Sequence, residues 1–308
     1  MSDDLAKMRA WYAQDLRLRA PIRRNMAIVE AFATVPRERF LGPGPWRTIP
    51  DFRPDEALTV PDDDPAWVYH DMLVSIDRAR DLNNGLPSFW ARNLDYLILR
   101  RGERIMQVGA GTGYYSAVLA EIVGLQGRVT AVEHDGELAA RARANLAPWP
   151  QVEVVHGDGR AHDPGEVDAV VVFAGSTHPA PLWLDRLAPG GRLLMPLTAE
   201  NRWGFLLRAT RALGADDPSL IVLPAARRGE QFEAISIGWV GIFPCIGGRD
   251  EVAAKRLQRL LDAVRGKSLH AEIPIEVLHR GDPGPDAADK VWFHGPGFWL
   301  ERQAPAEY

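Results

Sequence analysis

Between residues 102 and 210 apolar and polar positions fall into a regular rhythm. The runs ERIMQV, RVTAVE, VEVVHG, VDAVVVFA, GRLLMPL and GFLLRAT carry the β-branched and aliphatic residues of strands, and stretches such as GELAARARANLA and PLWLDRLA between them have helical spacing. Strands alternating with helices predict an α/β fold built on a doubly wound, mostly parallel sheet. VDAVVVFA, apolar at nearly every position, is expected in its centre with both faces covered. Ahead of this region, residues 2–34 carry two helical patterns broken at Pro21, the first with Ser2 as its cap and Asp3 and Asp4 in its first turn. From Gly42 to Pro65 the text is so rich in Pro and Asp that a loop or linker is expected.

Beyond residue 230, EAISIGWVGIF reads as a strand, DEVAAKRLQRLLDAVRG as an amphipathic helix ended by Gly266, and IPIEVLHR and KVWFHGPGFWLER as further strands. The helix shows one stripe, Val252, Leu257, Leu260, Leu261 and Val264, too small a surface for a core of its own. The expected division is therefore an N-terminal helical cap and loop over 1–65, a main domain over 66–230, and an α+β addition over 231–308 that packs on the main domain.

Composition narrows the possible partners. The chain has 308 residues, 46% of them hydrophobic, and a net charge of −5, so no basic field argues for nucleic acid. No apolar run approaches the roughly 18 residues of a membrane helix. The N-terminal text MSDDLAKMRAWYAQDLRLR is too charged for a signal peptide. A cytoplasmic protein without membrane or nucleic-acid partners is expected, its oligomeric state open. The single cysteine, Cys245, cannot pair within the chain and reads as a buried small hydrophobe. The 8 histidines show no metal-ligand spacing, so no metal is expected.

The candidate chemistry begins at VGAGTGYYSAVLA, where a strand end runs through three glycines into a helix. Backbone N–H groups and the helix dipole make such a turn an anion-friendly, sterically open shelf, although the same glycines also serve close packing. The spacing is GxGxG at Gly109, Gly111 and Gly113, not the GxGxxG of dinucleotide turns. Glu133 closes the next strand, where an acidic side chain accepts hydrogen bonds from both ribose hydroxyls; the plain alternative is a solvated carboxylate. Asp158, in HGDGR, suits the adenine amino group or simply the turn before Gly159. With the Pro-Gly-Gly turn of LAPGGRLLMP, these landmarks fit an S-adenosylmethionine site.

The order VGAGTGYYSAVLAEIVG, VTAVEHDGELAARARANL, VVHGDGR, VDAVVVFAGSTHPAPLWLDRLAPGGRLLMPL is similar to class I methyltransferases, and most like the protein-L-isoaspartate O-methyltransferase family. AIVEAFATVPRERFL at 27–41 resembles that family's N-terminal helix and its Val-Pro-Arg-Glu-x-Phe element. The resemblance runs from about residue 20 to 210 and is loose after 230. It implies a seven-stranded, Rossmann-like sheet, S-adenosyl-L-methionine as cofactor, and a cofactor set of Gly109, Ala110, Gly111, Thr112, Gly113, Glu133, His134, Gly157, Asp158 and Gly159. It also implies methyl transfer to an aspartyl or isoaspartyl carboxylate of a protein or peptide, with no general base, because the acceptor is already an anion.

One slot departs from the family. Its serine before the proline is replaced in LNNGLPSFWA by Gly85, preceded by Asn83 and Asn84 and followed by Ser88. These residues read either as a turn capping the helix that starts near Pro87 or as acceptor ligands, so Asn84, Gly85 and Ser88 are the candidate positioning residues. Lack of the serine hydroxyl predicts weak or absent activity on simple isoaspartyl peptides unless Ser88 supplies the hydroxyl from the other side of the proline; a gain in Gly85→Ser would mark altered specificity, and high wild-type turnover a dispensable serine. The loop AGSTHPAP, at the family's substrate mouth, adds Ser176, Thr177 and His178, the histidine read as an exposed loop residue with a base for a hydroxyl substrate as the alternative. Alternatives are a small-molecule or peptide-tailoring methyltransferase, or a catalytically silent cofactor-binding protein.

Overall fold

The computed structural model describes residues 2–49, 56–213, 231–266 and 272–304. The sequence-based boundary at 230 lies in the stretch 214–230, outside the described residues. In chain order the elements are α1 (Ser2–Arg19), α2 (Ala27–Thr34), β1 (Arg47–Ile49), β2 (Leu58–Thr59), β3 (Leu73–Asp77), β4 (Leu82–Asn83), α3 (Pro87–Asp95) and β5 (Arg104–Val108). Then come α4 (Tyr114–Val123), β6 (Arg128–Glu133), α5 (Gly136–Asn145), β7 (Val152–His156), β8 (Val167–Val172), α6 (Pro181–Asp185), β9 (Leu187–Thr198) and β10 (Trp203–Arg211). The last are β11 (Gln231–Gly241), α7 (Glu251–Arg265), β12 (Ile275–Arg280), β13 (Val291–Gly295) and β14 (Phe298–Arg302). They form two compact units, Met1–Arg104 with Ala110–Gly157, and Ile105–Gly109 with Asp158–Tyr308.

In the first unit the chain between α1 and α2 is held by one buried carboxylate. Asp95, at the end of α3, accepts the backbone N–H groups of Arg23, Arg24 and Asn25 at 3.1, 2.9 and 2.7 Å. These donors follow the break at Pro21, where no helix supplies acceptors. The stretch expected to be a loop contains β1 and β2, and an antiparallel sheet runs in the order β2-β1-β3-β4. Thr48 and Ile49 are strand formers between prolines, and Thr48 finds Val74 as partner only through the fold. Helix α4 is buried almost throughout, as its apolar sequence requires, and β6 pairs with β7 in parallel. Helix α5 is capped by Asp135, whose carboxylate accepts the N–H of Leu138 at 2.9 Å.

In the second unit the described strands run in the order β13-β14-β12-β11-β10-β9-β8-β5. β8 pairs in parallel with β5 and β9, and it is buried at 5 of its 6 positions, as VDAVVVFA predicts. From β9 onward the named strands pair antiparallel with one another, β9 with β10, β10 with β11, β11 with β12, β12 with β14 and β14 with β13. Two expectations need correction. The Pro-Gly-Gly segment, read as a tight turn, lies inside β9, where a register shift against β8 absorbs it. KVWFHGPGFWLER, read as strand, contains the turn between β13 and β14, with Gly297 at φ +71°.

Helix α7 starts at Asp250, whose side chain accepts the Ala253 N–H at 2.7 Å. Its buried stripe is Ala253, Ala254, Leu257 and Leu261. Val252, expected in that stripe, is 66% exposed. Two alanines allow the helix to lie close, which moves the buried face round from the one that the larger side chains mark.

Candidate functional site

Of the three glycines in the turn after β5, Gly113 and Gly111 lack side chains for different reasons. Gly113 has φ +96°, and a Cβ there would stand 2.7 Å from Leu146 Cδ1, so its missing side chain serves packing against the end of α5. Gly111 has φ +57°, but a Cβ there would meet only Ile76 Cδ1 at 3.9 Å. Bulk is absent there without a neighbour that demands it, which leaves the backbone open to approach. Ala110 donates its N–H to Val132 O at 3.2 Å, and the carbonyl of the buried Thr112 accepts from Asn145 Nδ2 at 3.0 Å.

Glu133 ends β6 beside this turn and is only 8% exposed. Its Oε2 accepts the Gly111 N–H at 2.7 Å and its Oε1 the Asp135 N–H at 2.9 Å. The solvated-carboxylate reading is thereby set aside. Each oxygen holds one backbone donor and keeps a lone pair for another, so the group suits a ligand that presents two hydroxyl donors. Gly157 donates its N–H to the Glu133 carbonyl at 2.9 Å, which brings Gly111, Glu133 and Gly157 together, whereas His134 is exposed to solvent.

Before α3 the structure favours the turn reading for part of the asparagine-glycine segment. Asn83 Oδ1 accepts the Gly85 N–H at 3.0 Å, and Gly85 takes φ +77°. A Cβ on Gly85 would stand 2.8 Å from Trp90 Nε1 and 3.0 Å from its Cδ1, so the position has no room for the serine that the sequence comparison suggested restoring. The Gly85 carbonyl accepts the Tyr115 hydroxyl at 3.2 Å. Buried Asn84 uses its Oδ1 to accept from Arg37 Nη2 at 3.1 Å and from the Val74 N–H at 3.3 Å, while its Nδ2 has no partner among the described residues. Ser88, half-buried, donates its backbone N–H to Asp71 Oδ1 at 2.9 Å.

Arg37 is the residue that sequence reasoning passed over. Its fully buried guanidinium donates to the carbonyls of Val68 and His70, both at 2.8 Å, and Met72 at 2.6 Å, besides Asn84. It therefore sets the path of the chain that leads to Asp71, Asn84 and Ser88. The Val-Pro-Arg-Glu-x-Phe text held the signal for Arg37, but its partners lie more than 30 residues away.

In the second unit, Asp158 is exposed and its Oδ1 accepts the Arg160 N–H at 2.8 Å, as a turn-forming aspartate does. Gly159 lies against Val108, where a Cβ would stand 2.6 Å from Cγ1, and its carbonyl accepts Trp183 Nε1 at 2.7 Å. Gly109 follows Val108, whose carbonyl accepts the Phe173 N–H at 2.8 Å. His178 is half-buried rather than exposed, its Nδ1 lying 2.9 Å from Thr177 Oγ1, which also receives the Asp250 N–H at 2.9 Å. Burial, and then the charge of Arg160, push the His178 pKa down. Cys245 is buried, and burial raises its thiol pKa. Among the described residues no group of three His, Cys, Asp or Glu could hold a metal, and no helix is long and apolar enough to cross a membrane.

Comparison with known proteins adds a family. A model of the family described as Protein-L-isoaspartate(D-aspartate) O-methyltransferase (PCMT) matches residues 56–214. Protein-L-isoaspartate O-methyltransferase 1 of Rhodopseudomonas palustris (strain HaA2) is 38% identical over 192 residues, 61% of this chain and 69% of that protein. A solved protein-L-isoaspartate O-methyltransferase superposes with a TM-score of 0.58 at 19% identity, covering 96% of this chain and 88% of that one. A structure from Plasmodium falciparum assigned to the same enzymes, in complex with S-adenosyl-L-homocysteine, gives a TM-score of 0.55 at 17% identity, covering 77% and 97%. These superpositions show a shared α/β fold.

Proposed function

The chain belongs to the protein-L-isoaspartate(D-aspartate) O-methyltransferase family, and on that premise we propose that it transfers a methyl group from S-adenosyl-L-methionine to an aspartyl or isoaspartyl carboxylate of a protein or peptide. The observation that carries the cofactor assignment is Glu133, buried, its carboxylate bonded among the described residues to two backbone N–H groups, and adjacent to the unobstructed Gly111. A buried carboxylate with spare acceptor capacity fits a ribose diol, and the bare backbone at Gly111 fits the approach of a ligand. The cofactor supplies a methyl group already activated on a sulfonium.

The chain's own task is then positional. In the first unit Glu133 would accept the two ribose hydroxyls, with Ala110 to Gly113, His134 and Gly157 around it; the family resemblance implies that Gly109, Asp158 and Gly159 would also serve the cofactor, Asp158 through the adenine amino group. Asn84, Gly85 and Ser88, held by Arg37, Trp90 and Asp71, orient the acceptor. No base is required, since the attacking carboxylate is an anion at neutral pH and alignment lowers the barrier. A second reading, an acceptor other than a simple isoaspartyl peptide, is supported by the packing at Gly85, which leaves no place for a hydroxyl. The test is incubation with labelled S-adenosylmethionine and an isoaspartyl peptide. Label released as methanol by base supports the carboxyl ester; stable label or none overturns it.

A further inference from the structure

The hairpin of β3 and β4 is fastened to the start of α5, the helix that follows Glu133. Its tip is built on Asp77, whose Oδ1 accepts the N–H groups of Ala79 at 2.9 Å and Arg80 at 3.1 Å. Asp81 closes the turn in the left-handed region, at φ +54°. Two arginines then join hairpin and helix, one from each side. Arg141 of α5 donates Nη1 to the Ile76 carbonyl at 3.0 Å. Arg80 donates Nε to Asp77 Oδ2 at 2.6 Å and Nη1 to Asp135 Oδ2, so its guanidinium bridges two carboxylates. All of these residues belong to the first unit.

The bridge stands beside the groups assigned to the ribose. Glu133 Oε1 accepts the Asp135 N–H at 2.9 Å, while the Asp135 carboxylate is divided between the Leu138 N–H at 2.9 Å and Arg80. Ile76 Cδ1 lies 3.9 Å from the place of the Cβ that Gly111 lacks. A ligand resting on the bare backbone of Gly111 therefore meets the hairpin as its outer wall. The fastening is open to solvent, with the side chains of Arg80 and Asp135 40% and 31% exposed. Charges so placed hold a segment by a small margin, and salt screens them. The hairpin can then part from α5 and return without the core being disturbed.

We propose that Arg80 is a positioning residue of the cofactor site: by bridging Asp77 and Asp135 it straps the β3–β4 hairpin over the nucleoside held at Gly111 and Glu133, and the bridge must part for that nucleoside to enter or leave. This rests on the reading of Glu133 as the ribose acceptor. One opened state serves entry and exit, so breaking the bridge raises both rates and leaves the equilibrium nearly unchanged. Loss of a ligand contact differs, because it raises the exit rate alone.

The test is surface plasmon resonance on the immobilised full-length protein with S-adenosylhomocysteine as analyte, so that no turnover is needed. R80Q is expected to raise the association and dissociation rates together, each by about two- to tenfold, the scale of an exposed charge network, with Kd within about threefold of wild type. R80K should fall between, since lysine keeps the charge but has one nitrogen where the bridge uses two. In wild type, raising salt from about 0.05 M to about 0.5 M should also speed both rates, and in R80Q this dependence should largely vanish. R128Q, which breaks the exposed Arg128–Glu153 pair of the same unit, should behave as wild type. Dissociation from R80Q no faster than from wild type, or faster with association unchanged or slower, overturns the proposal. Should R80Q fail to fold, the wild-type salt series decides, and rates that do not rise together overturn it. Failure of the underlying reading shows separately, as a wild type that binds no S-adenosylhomocysteine or an E133A that binds it as tightly, and it takes the proposal with it.

Discussion

Three residues make the candidate site testable one at a time. Glu133 is expected to lose about 1–3 kcal/mol of cofactor binding on replacement by Ala, because a charge-assisted acceptor vanishes. The N–H groups of Gly111 and Asp135 are left without their acceptor as well, so the melting temperature should fall too. Calorimetry with S-adenosylhomocysteine and a thermal scan read both. Gly85→Ser is expected to destabilise by about 1–3 kcal/mol, since it adds a Cβ at positive φ and against an indole, and to give no gain in methylation. A gain in turnover would mean that Trp90 can move aside. His178 titrates with a defined sign. Its ordinary value is 6.5 and the folded environment lowers it, so the unfolded chain takes up this proton first. Stability from the neutral ring is complete above the unfolded value and drains as pH falls from there toward the folded value. Urea melts from about pH 7 to about pH 5 should show a shallower decline in His178→Gln, with His294, also lowered by burial, left to account for part of the remaining slope.

Among the elements, α7 separates what faces inward from what sequence periodicity suggests. Leu257→Ala or Leu261→Ala is expected to cost about 2–4 kcal/mol, while Val252→Ala stays within about 0.5 kcal/mol, both measured by urea unfolding. Much of the fold was legible because it follows from composition along one element: β8 is apolar at nearly every position, and α4 lies between glycines. What escaped depends on partners distant in sequence. β1 exists because Thr48 meets Val74, β9 runs through its glycines because β8 tolerates the shift, and α7 turns its alanines inward because they permit close approach. The site divides the same way. The spacing from Gly113 to Glu133 was readable, but the burial of Arg37 among remote carbonyls, and the Trp90 ring that keeps residue 85 a glycine, required the packed structure.

For the whole molecule, the antiparallel continuation of the second unit has a structural duty. β10 pairs with β11 from Trp203 opposite Gly241 to Arg211 opposite Phe232. A chain ending at residue 229 lacks β11 and the strands that follow, and leaves buried Phe205, Leu206 and Leu207 on an unpaired edge. Such an edge invites pairing between copies, so the truncated protein is expected to aggregate, as light scattering would show. A soluble, cooperatively melting fragment would show that β10 can stand as an edge. β8, by contrast, is enclosed by β5 and β9 and covered on its faces. Solvent reaches its amides only when the sheet itself parts, whereas β2, two exposed residues long, is open to water at all times. Deuterium entering the backbone of residues 167–172 therefore keeps time for the complete opening of this unit, and its rate under native conditions gives the unit's free energy without denaturant.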